Sequence, residues 1–142
     1  MKRFFQIFIL MSILVLAGCS LIKSDSSENA VEDPLAGTAW VLVKLNGELP
    51  VEGTVLTLSF TDGNLGGSAG CNSFGGAYKV SGDQLKTGEI ASTLMACIDS
   101  GVMNQESLYL SLLGAAQTFT LSDSELRISS SDGGELVFIR QE

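Results

Sequence analysis

The stretch Gly66-Gly67-Ser68-Ala69-Gly70 has the G-x-S-x-G spacing of a serine nucleophile elbow. That chemistry needs a strained strand-to-helix turn to expose the serine and a histidine to take its proton. The chain contains no His, and strand-forming residues follow the motif, so the hydrolase reading fails. The same glycines do not make a phosphate loop, because no Gly-Lys-Ser/Thr follows and no helix starts there. Four carboxylates, Asp62, Asp83, Asp123 and Asp132, each stand beside Gly or Ser in a turn-like segment. Asp is favoured in turns for the bonds it makes to its own backbone. A paired-carboxylate glycosidase needs two of them about 5–10 Å apart across a cleft, and nothing in their spacing groups them. No catalytic residue, resident metal or cofactor is expected.

The cysteines carry more. The chain opens Met1-Lys2-Arg3, continues with an apolar run from Phe4 to Leu16, and reaches Leu16-Ala17-Gly18-Cys19. Positive charge, a run of about a dozen apolar residues and small residues before the cut describe a signal peptide over residues 1–18. The run is short of the roughly 20 residues that a spanning helix needs. The final tetrad resembles the bacterial lipobox, so Cys19 is expected to take a diacylglyceryl thioether and, with further acylation, to hold the protein on a membrane. Ser20 follows where Asp would retain such a protein at the inner membrane. The expected location is therefore a membrane lipoprotein, on the outer membrane where the host has one, facing the periplasm or the surface. Cys71 and Cys97 remain. An even pair in an exported chain reads first as a disulfide, with two buried thiols as the alternative. Zinc is poorly served by two Cys and no His.

Losing residues 1–18 removes Lys2 and Arg3 and no acid, so the formal net charge moves from −8 to −10. Such a chain is repelled by phosphate backbones, which argues against nucleic acid as a partner, and by anionic lipid, which leaves the acyl chains to do the anchoring. Residues 19–34 are polar, acidic and without apolar period, and predict a disordered, lipidated tether reaching at most about 50 Å.

The rest, from Leu35 to Glu142, has the length of one small domain and reads mostly as strands. Trp40 and Leu42 alternate with Val41, Val43 and Leu45, and Asn46-Gly47 turns the chain. Leu56, Leu58 and Phe60 alternate with Thr57 and Ser59, and Asp62-Gly63 is a strong two-residue hairpin signal. Tyr78 and Val80 precede a turn at Ser81-Gly82-Asp83. Phe119 and Leu121, Leu126 and Ile128, and Leu136 and Phe138 mark three late strands. One segment, Met103 to Gln117, has helical period through Leu108, Leu112 and Ala115 or Ala116, with Ser100 or Asn104 as its cap. The fold class is mainly β: seven or eight antiparallel strands curled into a small barrel, with one amphipathic helix against an opening.

Three segments resemble the META domain of HslJ-like bacterial lipoproteins. They are Gly37-Thr38-Ala39-Trp40 with Leu42; Gly70-Cys71-Asn72-Ser73-Phe74 with Gly76 and Tyr78; and Ala91 to Cys97, in which Thr93 and Met95 match. The helix with Glu106, Tyr109 and Leu110 also fits, and the similarity covers nearly all of Leu35 to Arg140. It implies a cracked antiparallel β-barrel with one helix, exported and often lipid-anchored. It implies no activity, only a general link to envelope stress and tolerance of harmful compounds; the expected function is non-enzymatic support of envelope integrity by binding, with an envelope protein or a small apolar ligand as partner. An inhibitor or pilot-like accessory lipoprotein is the alternative. Trp40, Gly70, Asn72, Phe74, Tyr78, Thr93 and Met95 are the family-motif residues, structural or binding. Where many relatives carry Arg, this chain has Ser73 and Leu94.

The anchor is tested directly: Cys19→Ser should abolish fatty-acid labelling and release the protein from membranes, and unchanged labelling would remove the basis for lipidation.

Overall fold

The computed structural model describes residues 33–141; the leader, Cys19 and the segment to Glu32 lie outside the described residues. Eight strands and one helix follow in order: β1 (Ala39–Leu45), β2 (Thr57–Thr61), β3 (Asn64–Ser68), β4 (Ser73–Ser81), β5 (Gln84–Ser92), α1 (Ser100–Gly114), β6 (Ala116–Leu121), β7 (Glu125–Ser130) and β8 (Glu135–Arg140). Each strand pairs with its sequence neighbour, and β1 pairs with β8, so the sheet closes into an antiparallel barrel. Closure pairs most of the strand edges. The thin place is the seam between β5 and β6, where Gln84 opposite Thr118 is the one register pair. The helix is inserted between those two strands in sequence, as the expected opening suggests.

Local chemistry explains the turns. Asp62 and Gly63 take φ of 47° and 78°, the left-handed pair that lets a two-residue turn follow the twist of β2 and β3. Gly67 serves close approach instead: a Cβ there would collide with the backbone carbonyl of Thr57. In β1 the register slips between Leu42 and Lys44. This bulge corrects the strict alternation read from the sequence. It swings Leu45 to the inner face with Trp40 and Leu42, whereas alternation places Leu45 with Val41 and Val43.

The interior is filled. Trp40, Phe60, Tyr109, Phe138, Leu58, Leu126 and Ile128 are fully buried. The Tyr109 ring meets Phe74 at 5.6 Å and Phe138 at 6.3 Å, edge-on in both cases. The Trp40 indole N–H donates to Thr38 Oγ1 at 2.7 Å, and the Arg140 guanidinium lies 4.5 Å from its ring centre.

The antiparallel register gives the barrel two ends. At one, the loops 46–56, 69–72 and 93–99 meet α1, which inserts Tyr109, Leu112 and Leu113. The helix runs from Ser100 to Gly114, three residues earlier at each end than its apolar period predicts. The cause is Asp99, whose carboxylate accepts from Gly101 N at 2.7 Å and so caps the helix in place of Ser100 or Asn104. Its inward face is Gln105, Glu106, Tyr109, Leu112 and Leu113, while Leu108 is half exposed. The period misplaces this face because two of its five members are polar. At the far end Leu35 is fully buried, Gly37 N donates to Phe60 O at 2.8 Å, and the Tyr78 hydroxyl donates to Asp33 Oδ2 at 2.5 Å. That last bond takes in a residue which the sequence reading groups with the tether.

Both tyrosines are buried, at 4% and 0% exposure for Tyr78 and Tyr109. Burial, and for Tyr78 also the Asp33 carboxylate, holds both phenols far above their ordinary 10.0. A raised folded value means that the fold favours the protonated phenol. The associated stability is therefore complete below pH 10 and is lost as pH rises above it. Unfolding free energy should be level to about pH 9, then fall by up to ~1.4 kcal/mol per pH unit per tyrosine. Tyr78→Phe should flatten that fall. The check is denaturant melts with phenolate absorbance; a phenolate midpoint near 10 in the intact fold would contradict it.

Candidate functional site

Residues 93–99 connect β5 to the helix at the rim. The segment is tied down at every second residue. The Thr93 hydroxyl donates to Asn72 Oδ1 at 2.8 Å and accepts from Ser73 N at 3.2 Å. The Met95 backbone N–H donates to the same Oδ1 at 2.7 Å, and its carbonyl accepts from Asn72 Nδ2 at 3.1 Å. Cys97 is bonded to Cys71, with Cα atoms 6.1 Å apart. Asp99 caps the helix. In a segment held this way the intervening side chains face outward. Leu94 is 97% exposed, Ile98 is fully exposed, and Met95 is more than half exposed.

Asn72 organises this arrangement. It is 2% exposed. Besides the bonds to Thr93 and Met95, its Nδ2 donates to Glu106 Oε1 and its backbone N–H to Glu106 Oε2, both at 2.7 Å. The side-chain amide thus donates twice and accepts twice, its full capacity. Glu106, 6% exposed, is a buried carboxylate whose two oxygens are both satisfied. Left unpaired it would carry a desolvation penalty of several kcal/mol. One residue earlier, Gln105 Oε1 accepts from Val51 N at 2.6 Å and its Nε2 donates to Thr54 Oγ1 at 3.1 Å. The first turns of α1 therefore clamp two rim loops, 46–56 through Gln105 and 93–99 through Glu106 and Asn72. Gly70, beside them, takes φ of 102° and would bring a Cβ within 3.4 Å of the Gln105 amide.

The motif residues separate into three places. Asn72, Thr93 and Met95 come together with Cys71 and Cys97 at the rim loop, and Gly70 adjoins them. Phe74 lines the core against Tyr109. Trp40 and Tyr78 belong to the opposite end, where Tyr78 meets Phe60 edge-on at 4.9 Å. Ser73 and Leu94 are both exposed on the rim. Sequence reasoning missed the roles of Glu106, Gln105 and Asp99, and missed Leu94 and Ile98 as a surface. The available signal was the run Leu94-Met95-Ala96-Cys97-Ile98, too apolar for a loop and too short for a helix.

The remaining chemistry is dispersed. Ser68 Oγ accepts from Gly70 N at 3.3 Å, closing a local turn. Asp62, Asp83 and Asp123 lie in far-end turns. Asp132 lies in a turn at the helix end, where the Ser130 hydroxyl and then the Gly134 N–H hold its carboxyl below the usual range. Among the described residues no group of three His, Cys, Asp or Glu is placed to hold a metal. A groove of about 530 Å³ runs between Leu108 and Leu112 of α1 and the turns at Asn46-Gly47 and Asp132–Glu135.

A family model, the META domain, matches residues 33–142. Among solved structures, the chain is similar to a protein from Burkholderia xenovorans studied by NMR, at 25% identity and a TM-score of 0.63, covering 84% of this chain and 97% of that one. A second NMR structure is 24% identical with a TM-score of 0.61, over 74% of this chain and 90% of the other. A crystal structure of a DUF4847 family protein from Bacteroides vulgatus shares the fold at 15% identity and a TM-score of 0.59, over 79% and 99% of the two chains. No curated protein matches.

Removing the disulfide tests what fixes the loop. Cys71→Ser with Cys97→Ser frees a closure of 26 residues and should lower stability by about 3.5 kcal/mol in the chain-entropy model, with faster amide exchange from Leu94 to Ile98. Unchanged melting and exchange would show that Asn72 holds the loop without it.

Proposed function

We propose, from the premise that this chain belongs to the META-domain family, that it is a lipid-anchored extracytoplasmic binding protein without enzymatic activity, which supports envelope integrity or stress tolerance by engaging a protein partner at the rim loop. The observation that carries the reading is the exposure of Leu94, Met95 and Ile98 on a segment fixed by a disulfide, a saturated amide and a helix cap. Exposed apolar side chains cost solubility and are usually few and scattered. Three within five residues, on a backbone held at alternate positions, form a pre-organised contact surface. Pre-organisation raises affinity because little ordering entropy remains to be lost on binding.

Two kinds of ligand are open from the sequence, an envelope protein and a small apolar ligand, such as an acyl chain, held within the barrel. The burial of Trp40, Phe60, Tyr109 and Phe138 within the barrel, beside three exposed apolar side chains on the rim, favours the protein. This is the inhibitor-like or pilot-like class of accessory lipoprotein. Anchoring through Cys19 and a location outside the cytoplasm rest on the leader and lipobox.

The test is isolation of the lipidated protein from its native membrane in wild-type form and as Leu94→Ser with Ile98→Ser, followed by quantitative mass spectrometry. Both side chains are exposed, so the variant should fold within about 0.5 kcal/mol of wild type. Each apolar side chain contributes ~1.5–3 kcal/mol when buried. Loss of both should therefore weaken binding of the specific partner by at least about a hundredfold and deplete it from the isolate. The same proteins in the same amounts from both forms would refute a binding role for the loop.

A further inference from the structure

The charges around the apolar loop point to the kind of surface it meets. Between Lys44 and Lys79, and again between Lys86 and Arg127, the sequence contains no Lys or Arg. These two intervals supply the loops 46–56, 69–72 and 93–99 and the whole of α1. The rim therefore offers carboxylates alone from its loops: Glu48 and Glu52 beside exposed Leu49 and Val55, and Asp99 beside Ile98. Lys44 belongs to the outer face of β1. The other cations of the described residues lie toward the far half of the barrel. Lys79 and Lys86 face each other across β4 and β5 near their hairpin. Arg127 is paired with Glu125 and Glu135, and Arg140 covers Trp40. The chain also enters the domain at that far end, where Asp33 accepts from Tyr78. The loop is thus displayed at the opposite end of the barrel from the chain's point of entry.

We infer that the rim loop docks into an apolar pocket rimmed by Lys or Arg on a different protein. This rests on the reading of the loop as a protein-binding surface and adds the chemistry of the other side. A second copy of this chain is the wrong complement, since it would set carboxylates against carboxylates. An anionic bilayer is also a poorer complement: apolar loops that enter such membranes are helped by flanking cations, and the rim loops carry carboxylates and no Lys or Arg, with Lys44 alone standing below them at the end of β1. A cationic rim around an apolar pocket matches both features, with the apolar centre supplying affinity and the charges supplying association rate and selectivity.

The experiment uses the full lipidated chain in phosphatidylcholine nanodiscs, with empty nanodiscs as the blank. Two labelled amphipathic helical peptides share one leucine face and carry either lysines or glutamates opposite it. The Leu/Lys peptide should bind at least tenfold more tightly than the Leu/Glu peptide at about 50 mM salt, and should weaken severalfold as salt rises through the screening range. Leu94→Ser with Ile98→Ser should lower its affinity at least tenfold. Glu48→Gln with Glu52→Gln, which leaves the apolar residues in place, should lower it severalfold and flatten the salt dependence. Equal binding of the two peptides would overturn the inference, as would Leu/Lys binding that ignores both double variants. Self-association that vanishes with the loop variant would assign the surface to a second copy instead. Loop-dependent binding to phosphatidylglycerol vesicles would assign it to lipid. If the native-membrane comparison of wild type and loop variant shows no difference, the protein-binding reading itself fails. If that comparison succeeds while the peptide preference is absent or reversed, only the cationic partner class fails.

Discussion

One side-chain amide holds the working end of this protein together. Asn72 is buried where the glycine-rich corner after β3 meets the start of β4, and its two donors and two acceptors are all used, on Glu106, Met95 and Thr93. An aspartate side chain could not donate to Glu106, and a hydrophobic one would leave Glu106 Oε1 without its partner in a dry place, with only the backbone N–H still bonded to Oε2. The helix, the rim and the loop are therefore fixed by mutual necessity. The carboxylate tolerates burial because the amide is there, and the amide is held in one orientation because the loop backbone answers its oxygen.

The barrel supplies the rigidity behind that junction. Eight short strands, each beside its sequence neighbour, make a ring whose thinnest seam among the described residues, β5 to β6, is the place where the chain leaves to form α1 and returns. The helix compensates for what the seam lacks. Tyr109 inserts its ring between Phe74 and Phe138 and donates its hydroxyl to the Thr57 carbonyl. Thr87 donates to the last helical carbonyls, of Leu113 and Gly114. Large aromatic side chains, Trp40, Phe60, Tyr109 and Phe138, occupy the interior, while most of the exposed large apolar side chains gather on the rim.

Much of the fold was legible in the sequence, because period and turn chemistry are local. Leu58 and Phe60 point inward as their alternation predicts, and Asp62-Gly63 turns with both residues in the left-handed region. What local patterns could not show was long-range. The bulge that turns Leu45 inward depends on β8. The inward face of α1 includes Gln105 and Glu106, polar residues that an apolar period discounts and that only partners 34 and more positions away make sense of. The rim loop was hardest to read. Leu94, Met95 and Ile98 resemble core residues by type, and only the ties at Thr93, Met95, Cys97 and Asp99 reveal that their side chains face water. The pairing of Cys71 with Cys97 was one of two open readings, and the geometry joins them.

The two ends of the barrel also set how the domain would bear mechanical load. The chain enters beside Asp33 and passes directly into β1, whose two flanks are bonded to β2 and β8. The rim loop is at the other end, covalently stapled to the corner before β4. Tension applied between these points would run along the strands, so the ladders beside β1 would be strained in shear, many hydrogen bonds at a time, rather than peeled apart singly. The staple would also keep the loop from reeling out before the barrel itself gave way. A domain strung in this way could hold an object at one end against a pull from the other without first lengthening.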